Sequence, residues 1–163
     1  MNTIRLLVTN IGLSILVIIA AVLVLSTDRL WPFRLPGQLV FLAWPLLAAG
    51  VLLITLALAA FVTVGHGSGA VGDEPDRLVT AGPFRYLRNP IYEGTAILLF
   101  AIALYRQSPS FLLVAVVFVP AIDAYVRRVE ESHLKTRFGQ EYVEYLRTVP
   151  RWIPRWPGRM GAS

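Results

Sequence analysis

From Leu39 to Val64 the chain carries no charged side chain at all. A helix needs about 20 apolar residues to cross the ~30 Å of hydrocarbon in a bilayer, and this run is longer than that. Pro45 near its start predicts a kink rather than a break, because neighbouring helices can satisfy the backbone groups that a proline frees. A chain built around such a segment has lipid as its solvent. The composition agrees: 56% of the 163 residues are hydrophobic and 15% are charged, against about 45–50% and 25% in soluble domains. A globule of this size cannot hide so much apolar surface.

Three further apolar stretches fit the same environment. Residues 3–25 supply a first span if Asn10 and Ser14 face neighbouring helices. A cleaved signal peptide competes for this stretch, but no Ala-x-Ala-like site follows and the rest of the chain is itself membrane-like. Residues 91–105 form a shorter span with Glu93 one turn inside, and 110–126 a fourth, carrying Pro120 and Asp123. The connector Ser26 to Gln38 is broken by Pro32, Pro36 and Gly37, with Trp31 and Phe33 suited to the membrane interface. Tyr105 to Pro109 is so tight that the last two spans must form an antiparallel hairpin.

The expected fold is therefore all-α: a polytopic membrane helical bundle of about four transmembrane helices plus a C-terminal cytosolic or interfacial helix, in one membrane domain covering 1–163. With four spans, twelve of the fifteen Lys and Arg residues fall on one side and three, Arg29, Arg34 and Arg106, on the other. The rich side is expected to be cytoplasmic, with both termini on it.

Several chemistries drop out. The chain has no cysteine, so thiolate catalysis and Cys-based metal sites are excluded, and two histidines, His66 and His133, leave little for a metal centre. A formal charge of +5 and a pI near 10.1 do not imply nucleic acid, because the cations lie beside apolar segments and in the tail, where they meet anionic head groups. Gly65-His66-Gly67-Ser68-Gly69 lacks the strand and βαβ setting of a dinucleotide fingerprint. It reads as a flexible helix exit, or as a ligand-lining loop within the stretch 65–90. Beyond residue 127 an apolar periodicity, Leu134, Phe138, Tyr142, Tyr145, Leu146, marks a helix that Gly139 interrupts. Arg151 to Pro157 alternates cations with indoles and suits a head-group interface.

Two polar knots remain, and an apolar bundle has no need of them. The first runs from Gly82 to Gly94, with Arg85, Tyr86, Arg88, Asn89, Tyr92 and Glu93; the second is Arg127-Arg128-Val129-Glu130-Glu131-Ser132-His133. The hairpin returns the chain to the side of the first knot, so the two are expected to face each other across one site. Pro90 opens a helix whose free amides, with Arg88, suit a carboxylate or phosphate. Tyr86 and Tyr92 offer an aromatic face to a sulfonium, an ammonium or an adenine. Asp123 with Arg127, and Arg127 with Glu131, have ion-pair spacing on a helix. Glu130 and Glu131 point about 100° apart there. One is expected to pair with Arg127 or Arg128 while the other turns to the bundle, where an ionisable group is costly and usually functional. The bland alternative makes these residues interfacial tyrosines, a snorkelling arginine and a salt-bridged helix end.

The pattern Leu78-Val79-Thr80-x-Gly82-Pro83-Phe84-Arg85-Tyr86-x-Arg88-Asn89-Pro90-x-Tyr92-x-Gly94, followed by Glu130-Glu131-x-x-Leu134-x-x-x-Phe138-Gly139-x-x-Tyr142, resembles the integral-membrane methyltransferases. That superfamily includes isoprenylcysteine carboxyl methyltransferase and the phospholipid methyltransferases. The resemblance implies a bundle that takes S-adenosylmethionine at its cytosolic end, releases S-adenosylhomocysteine, uses no metal, and receives a lipid or hydrophobic small-molecule acceptor from the bilayer. It implies cofactor contacts for Gly82, Tyr86, Arg88, Asn89, Pro90, Tyr92, Gly94, Glu130 and Glu131. The position of Asn89 is His in the carboxyl methyltransferases and Asn in many phospholipid-type members.

The chemistry of the knots points the same way. A carboxylate suits the cationic methionyl end, Arg88 and the Asn89-Pro90 helix start suit its carboxylate, and in-line transfer in a dry site needs positioning above all. A general base is needed only for an acceptor that must lose a proton, and Glu93 and His133 are the candidates. Two other classes are compatible with the chain: an NADPH-dependent sterol or steroid reductase-like membrane enzyme, and a non-enzymatic scaffold in which the knots pair with each other and bind nothing small.

Overall fold

The computed structural model describes Val24, residues 26–65 and residues 77–154. The span read at 3–25 (Val24 apart), the glycine loop beyond Gly65 and the tail from Arg155 lie outside the described residues. Every regular element among the described residues is helical. Helix α1 is Val40–Gly65, α2 Pro90–Arg106, α3 Pro109–Tyr125 and α4 Glu131–Thr148, with short 3-10 turns at Asp28–Leu30, Gly37–Leu39 and Gly82–Arg85.

Helix α1 runs through Pro45 without interruption. At 1.5 Å per residue it is long enough for the hydrocarbon core. Phe41, Leu42, Val51, Leu52, Leu56 and Val62 all stand exposed along it. Only 17% of its most apolar window is buried within the protein. A helix that is apolar all round and mostly uncovered belongs in lipid rather than in a soluble core. The continuous helical stretch Pro109–Thr148 is the other one among the described residues that is long and apolar enough to cross a membrane.

Small residues set the helix contacts, as they do where no hydrophobic drive separates helix from lipid. Helices α1 and α2 pack antiparallel around Gly50 and Gly94. A Cβ on Gly94 would lie 2.6 Å from Ile54 Cγ1 and 3.1 Å from the Gly50 carbonyl oxygen, and one on Gly50 would lie 2.7 Å from Leu98 Cδ2. Ala43, Ala57 and Ala60 of α1, Ala101 and Ala103 of α2 and Ala115 of α3 are buried as well.

The α2–α3 link is two residues long. Gln107 takes the left-handed conformation (φ 52°), its N–H bonds to the Leu104 carbonyl and that of Ser108 bonds to Ala103, a Schellman closure. Ser108 then caps α3, accepting from the Phe111 N–H at 3.0 Å. Its own hydroxyl donates to buried Asp28 at 2.7 Å, and the Ser110 N–H reaches the same oxygen at 3.2 Å. Burial works against ionisation of Asp28, but the Ser108 and Ser110 hydrogen bonds and Arg34 outweigh it and hold the carboxyl below its usual range. The connector that precedes α1 is thus fastened to the start of α3.

At the other end of the hairpin α3 does not stop. One wider π-helical turn, Val126–Glu130, joins it to α4, and the Glu131 N–H bonds to the Val126 carbonyl five residues back. Gly139 breaks the regularity of α4 with φ 54° and ψ −128°. Beyond it Tyr142, Tyr145 and Val149 form a buried cluster with Leu78, Leu134, Phe138 and Leu146. The Tyr145 hydroxyl donates to the Phe84 carbonyl at 2.7 Å, which ties α4 to the loop before α2.

Candidate functional site

The loop before α2, the first turn of α2, the π-turn and α4 enclose a cavity of about 420 Å³, within the ~300–1,000 Å³ usual for small-molecule sites. Phe61, Leu78, Val79 and Phe84 give it an apolar wall; Tyr92, Tyr125, Tyr142 and Tyr145 add phenol rings; Val129, Leu134 and Phe138 close the α4 side. Its remaining polar groups are Arg88, Asn89, Glu130 and His133.

The two knots meet directly. Tyr92 donates to Glu130 Oε2 at 2.8 Å, and Arg88 Nη1 donates to Glu131 Oε1 at 2.7 Å. The pairing differs from the sequence expectation for the adjacent glutamates, since both turn to the first knot and Arg127 spends its guanidinium on Asp123 at 2.6 Å. The π-turn contributes to this: its hydrogen bonds span five residues rather than four, which shifts the register beyond it so that Arg127 and Glu131 are no longer one turn apart, while Arg127 keeps Asp123 on the preceding α-helical turn. Burial raises the Glu130 carboxyl above the ordinary range, the neighbouring charge of Glu131 adds to this, and the Tyr92 hydrogen bond opposes it. Burial likewise pushes the Tyr142 hydroxyl up to about 12.

Asn89 is 7% exposed and sits at the N-cap of α2 without capping it. Its Nδ2, together with Arg88 Nε, is buried with no hydrogen-bond partner. Orphaned buried donors are rare in folded proteins, and here two of them belong to adjacent residues that line one cavity.

The residues singled out from the sequence separate into two groups. Arg88, Asn89, Tyr92 and Glu130 line the cavity, as does exposed His133; Gly82, Tyr86, Pro90, Gly94 and Glu131 are not among its lining residues. Gly94 instead faces Gly50 and Ile54 on α1, and Gly82 (φ 58°) lies against Ala60. Pro90 is fully buried at the helix start. Glu131 stands behind Arg88, 8% exposed. Glu93 lies outside the cavity lining and keeps one buried carboxylate oxygen, Oε2, without a partner. Among the described residues no three His, Asp or Glu side chains gather as a metal site would require.

Sequence reasoning placed Arg151 and Trp152 in a head-group anchor, and the structure corrects this. Arg151 donates to Glu131 Oε1 through Nη2 at 2.7 Å and Nε at 3.0 Å. The Trp152 indole N–H donates to Asp123 Oδ1 at 2.8 Å, and the Pro150 carbonyl accepts from the Arg88 N–H at 2.9 Å. The segment after α4 therefore returns as a strap across both knots. An aromatic-basic run reads alike whether it meets head groups or carboxylates, so its composition could not reveal this. Tyr142 and Tyr145 were legible only as one face of a helix.

A family model described as phospholipid methyltransferase matches residues 37–141, well over half of the chain. A curated relative, protein-S-isoprenylcysteine O-methyltransferase B of Arabidopsis thaliana, is 33% identical over 82 residues, covering 50% of this chain and 42% of that protein. The chain thus spans less than half the length of this relative. No solved structure matches the chain.

Proposed function

Since the chain belongs to the phospholipid methyltransferase family, we propose that it transfers a methyl group from S-adenosylmethionine to a lipophilic or membrane-embedded acceptor, one resembling either an isoprenylcysteine carboxylate or a phospholipid amine. The observation that carries this reading is the cavity's combination of a half-buried carboxylate, Glu130, with two buried donors that have no partner, Arg88 Nε and Asn89 Nδ2. A pure scaffold would need the Arg88–Glu131 pair but has no use for orphaned donors beside an open cavity.

The methyl donor carries a sulfonium, an ammonium, a carboxylate and an adenine, and the residues fit each of them. Glu130, held by the Tyr92 hydroxyl, takes the cationic centre. Arg88 and Asn89 take the carboxylate, and the aromatic rings supply a face for the base and for the sulfonium. The bound cofactor supplies an activated methyl group. The protein aligns acceptor and methyl carbon and keeps water out, which is the main catalytic demand of a direct displacement. An amine acceptor must also shed a proton, and His133 is the cavity residue able to accept it. A carboxylate acceptor needs no base.

Both termini and this site are assigned to the cytoplasmic side by the distribution of Lys and Arg, where soluble cofactors are available. The test is calorimetric titration of the detergent-purified protein with S-adenosylhomocysteine and, separately, with NADPH. Micromolar binding of the first alone is expected. Binding of NADPH alone, or of neither, refutes the methyltransferase reading.

A further inference from the structure

Three consecutive residues of the strap reach the polar knots by different bonds: the Pro150 carbonyl to the Arg88 backbone, Arg151 to Glu131 and Asp123, and Trp152 to Asp123. Resting on the cofactor reading above, we propose that Arg151 is a positioning residue that takes up the charge of Glu131 and so keeps the Arg88 guanidinium available to the ligand's carboxylate.

The geometry around Glu131 carries the argument. The Arg88 and Glu131 side chains are only 13% and 10% exposed. An arginine and a carboxylate isolated at such depth favour the two-pronged fork, in which both oxygens and two nitrogens are matched. That fork is absent here. Arg88 offers Glu131 only Nη1 at 2.7 Å, while Arg151 brings Nη2 at 2.7 Å and Nε at 3.0 Å to the same oxygen, Oε1. With Glu131 Oε1 held by two nitrogens of the strap as well as by Arg88 Nη1, Arg88 Nε stays buried and unpartnered next to the equally unpartnered Asn89 Nδ2.

Charge arithmetic supports the same conclusion. The cluster holds three guanidiniums, Arg88, Arg127 and Arg151, against two carboxylates, Asp123 and Glu131. Arg127 is 60% exposed and paired with Asp123, whereas the shielded guanidiniums, Arg88 and Arg151, 13% and 18% exposed, converge on the single carboxylate of Glu131; a ligand carboxylate would balance the positive charge in excess there. Without Arg151 the remaining groups pair off one to one, Arg88 with Glu131 and Arg127 with Asp123. The anion site would then be closed by the protein's own carboxylate. Since Glu130 is held separately by Tyr92, the ammonium end would be spared, and the loss would fall on the carboxylate end alone.

The experiment compares two ligands across four proteins. S-adenosylhomocysteine carries the amino-acid end; 5′-methylthioadenosine shares its adenine, ribose and thioether but has no carboxylate. Both are titrated calorimetrically into wild type, Arg151→Ala, Arg151→Lys and Trp152→Phe in detergent. A charge-assisted hydrogen bond is worth about 1.5–3 kcal/mol, so Arg151→Ala is expected to weaken S-adenosylhomocysteine roughly 10- to 100-fold while the affinity for methylthioadenosine stays within about twofold. Arg151→Lys keeps the charge and is expected to recover most of the loss. Trp152→Phe, which loosens the strap without removing its charge, is expected to stay near wild type.

Unchanged S-adenosylhomocysteine binding in Arg151→Ala overturns the proposal. So does an equal loss of both ligands, or a loss in Trp152→Phe as large as in Arg151→Ala, because each would make the strap a merely structural prop. If Arg151→Ala does not fold, Arg151→Gln is read in its place by the same criteria. Failure of wild type to bind S-adenosylhomocysteine would sink the cofactor reading itself, a result distinct from the others.

Discussion

Replacing Gly94 by alanine sets two effects of known size against each other. Alanine is favoured over glycine inside a helix by about 1 kcal/mol, so with room to spare the substitution would stabilise α2. The structure leaves no room: the new methyl would lie 2.6 Å from Ile54 Cγ1 and 3.1 Å from the Gly50 carbonyl oxygen. Ile54 Cγ1 is the branch next to Cβ, held by the stiff χ1 of a β-branched residue in a helix, and the backbone oxygen of α1 is fixed as well, so the helices must part by a few tenths of an ångström. Overpacking of this kind costs about 1–3 kcal/mol, giving a net loss of roughly 0–2 kcal/mol. For a chain of this length that is a fall of up to about 8 °C in melting temperature.

Thermal unfolding in detergent measures the effect, and a double-mutant cycle identifies its origin. Gly94→Ala combined with Ile54→Ala is expected to recover part of what the single Gly94 change loses, together with S-adenosylhomocysteine affinity, because the closest of the two clashes is gone. A Gly94→Ala protein that melts above wild type would refute the claim that α1 and α2 touch backbone to backbone there. Affinity lost in the single variant and not regained in the double would instead return Gly94 to the cofactor pocket.

Glu130→Gln is expected to weaken S-adenosylhomocysteine by about one to two orders of magnitude, the scale of a charge-assisted hydrogen bond. Burial raises the Glu130 carboxyl in the folded protein, so ionisation of Glu130 is a stability penalty that is present above its folded pKa and vanishes below the unfolded one. The variant should therefore melt slightly above wild type at neutral pH, with the difference disappearing on acidification, and wild-type ligand affinity should fall as pH drops through the raised value. A pH-independent affinity down to pH 4 would contradict this. Asp28 behaves in the opposite sense. Its folded carboxyl is held below its ordinary range by the Ser108 and Ser110 hydrogen bonds and Arg34, which outweigh burial, so the stability it contributes is present above its unfolded pKa and lost as pH falls through its folded one. Asp28→Ala leaves the Ser108 hydroxyl and Ser110 N–H short of their acceptor and should cost about 2–4 kcal/mol at pH 7, read as a fall in melting temperature; a loss under 1 kcal/mol would show that water replaces the carboxylate.

The helical class, the lipid environment and the meeting of the two knots were legible in the sequence because each depends on local order. An uncharged run from Leu39 to Val64 has one favourable solvent, Pro90 and Pro109 mark helix starts, and a two-residue link forces a hairpin. Arg88, Asn89, Tyr92 and Glu130 stood out because polar groups beside an apolar bundle are costly unless used. Their partners are another matter. Whether Glu131 meets Arg127 or Arg88 depends on a single π-turn whose residues, Val126 to Glu130, look like any helix in composition. Whether Gly94 lines a ligand or a helix depends on which neighbour lies within 3 Å. Whether Arg151 meets lipid or protein depends on a reversal after Val149 that brings it back across a separation of 20 residues to Glu131. Side-chain type and spacing govern what a segment can become; contacts between distant segments are chosen only when the whole chain closes, because close packing and the cost of burying charge then admit one set of partners.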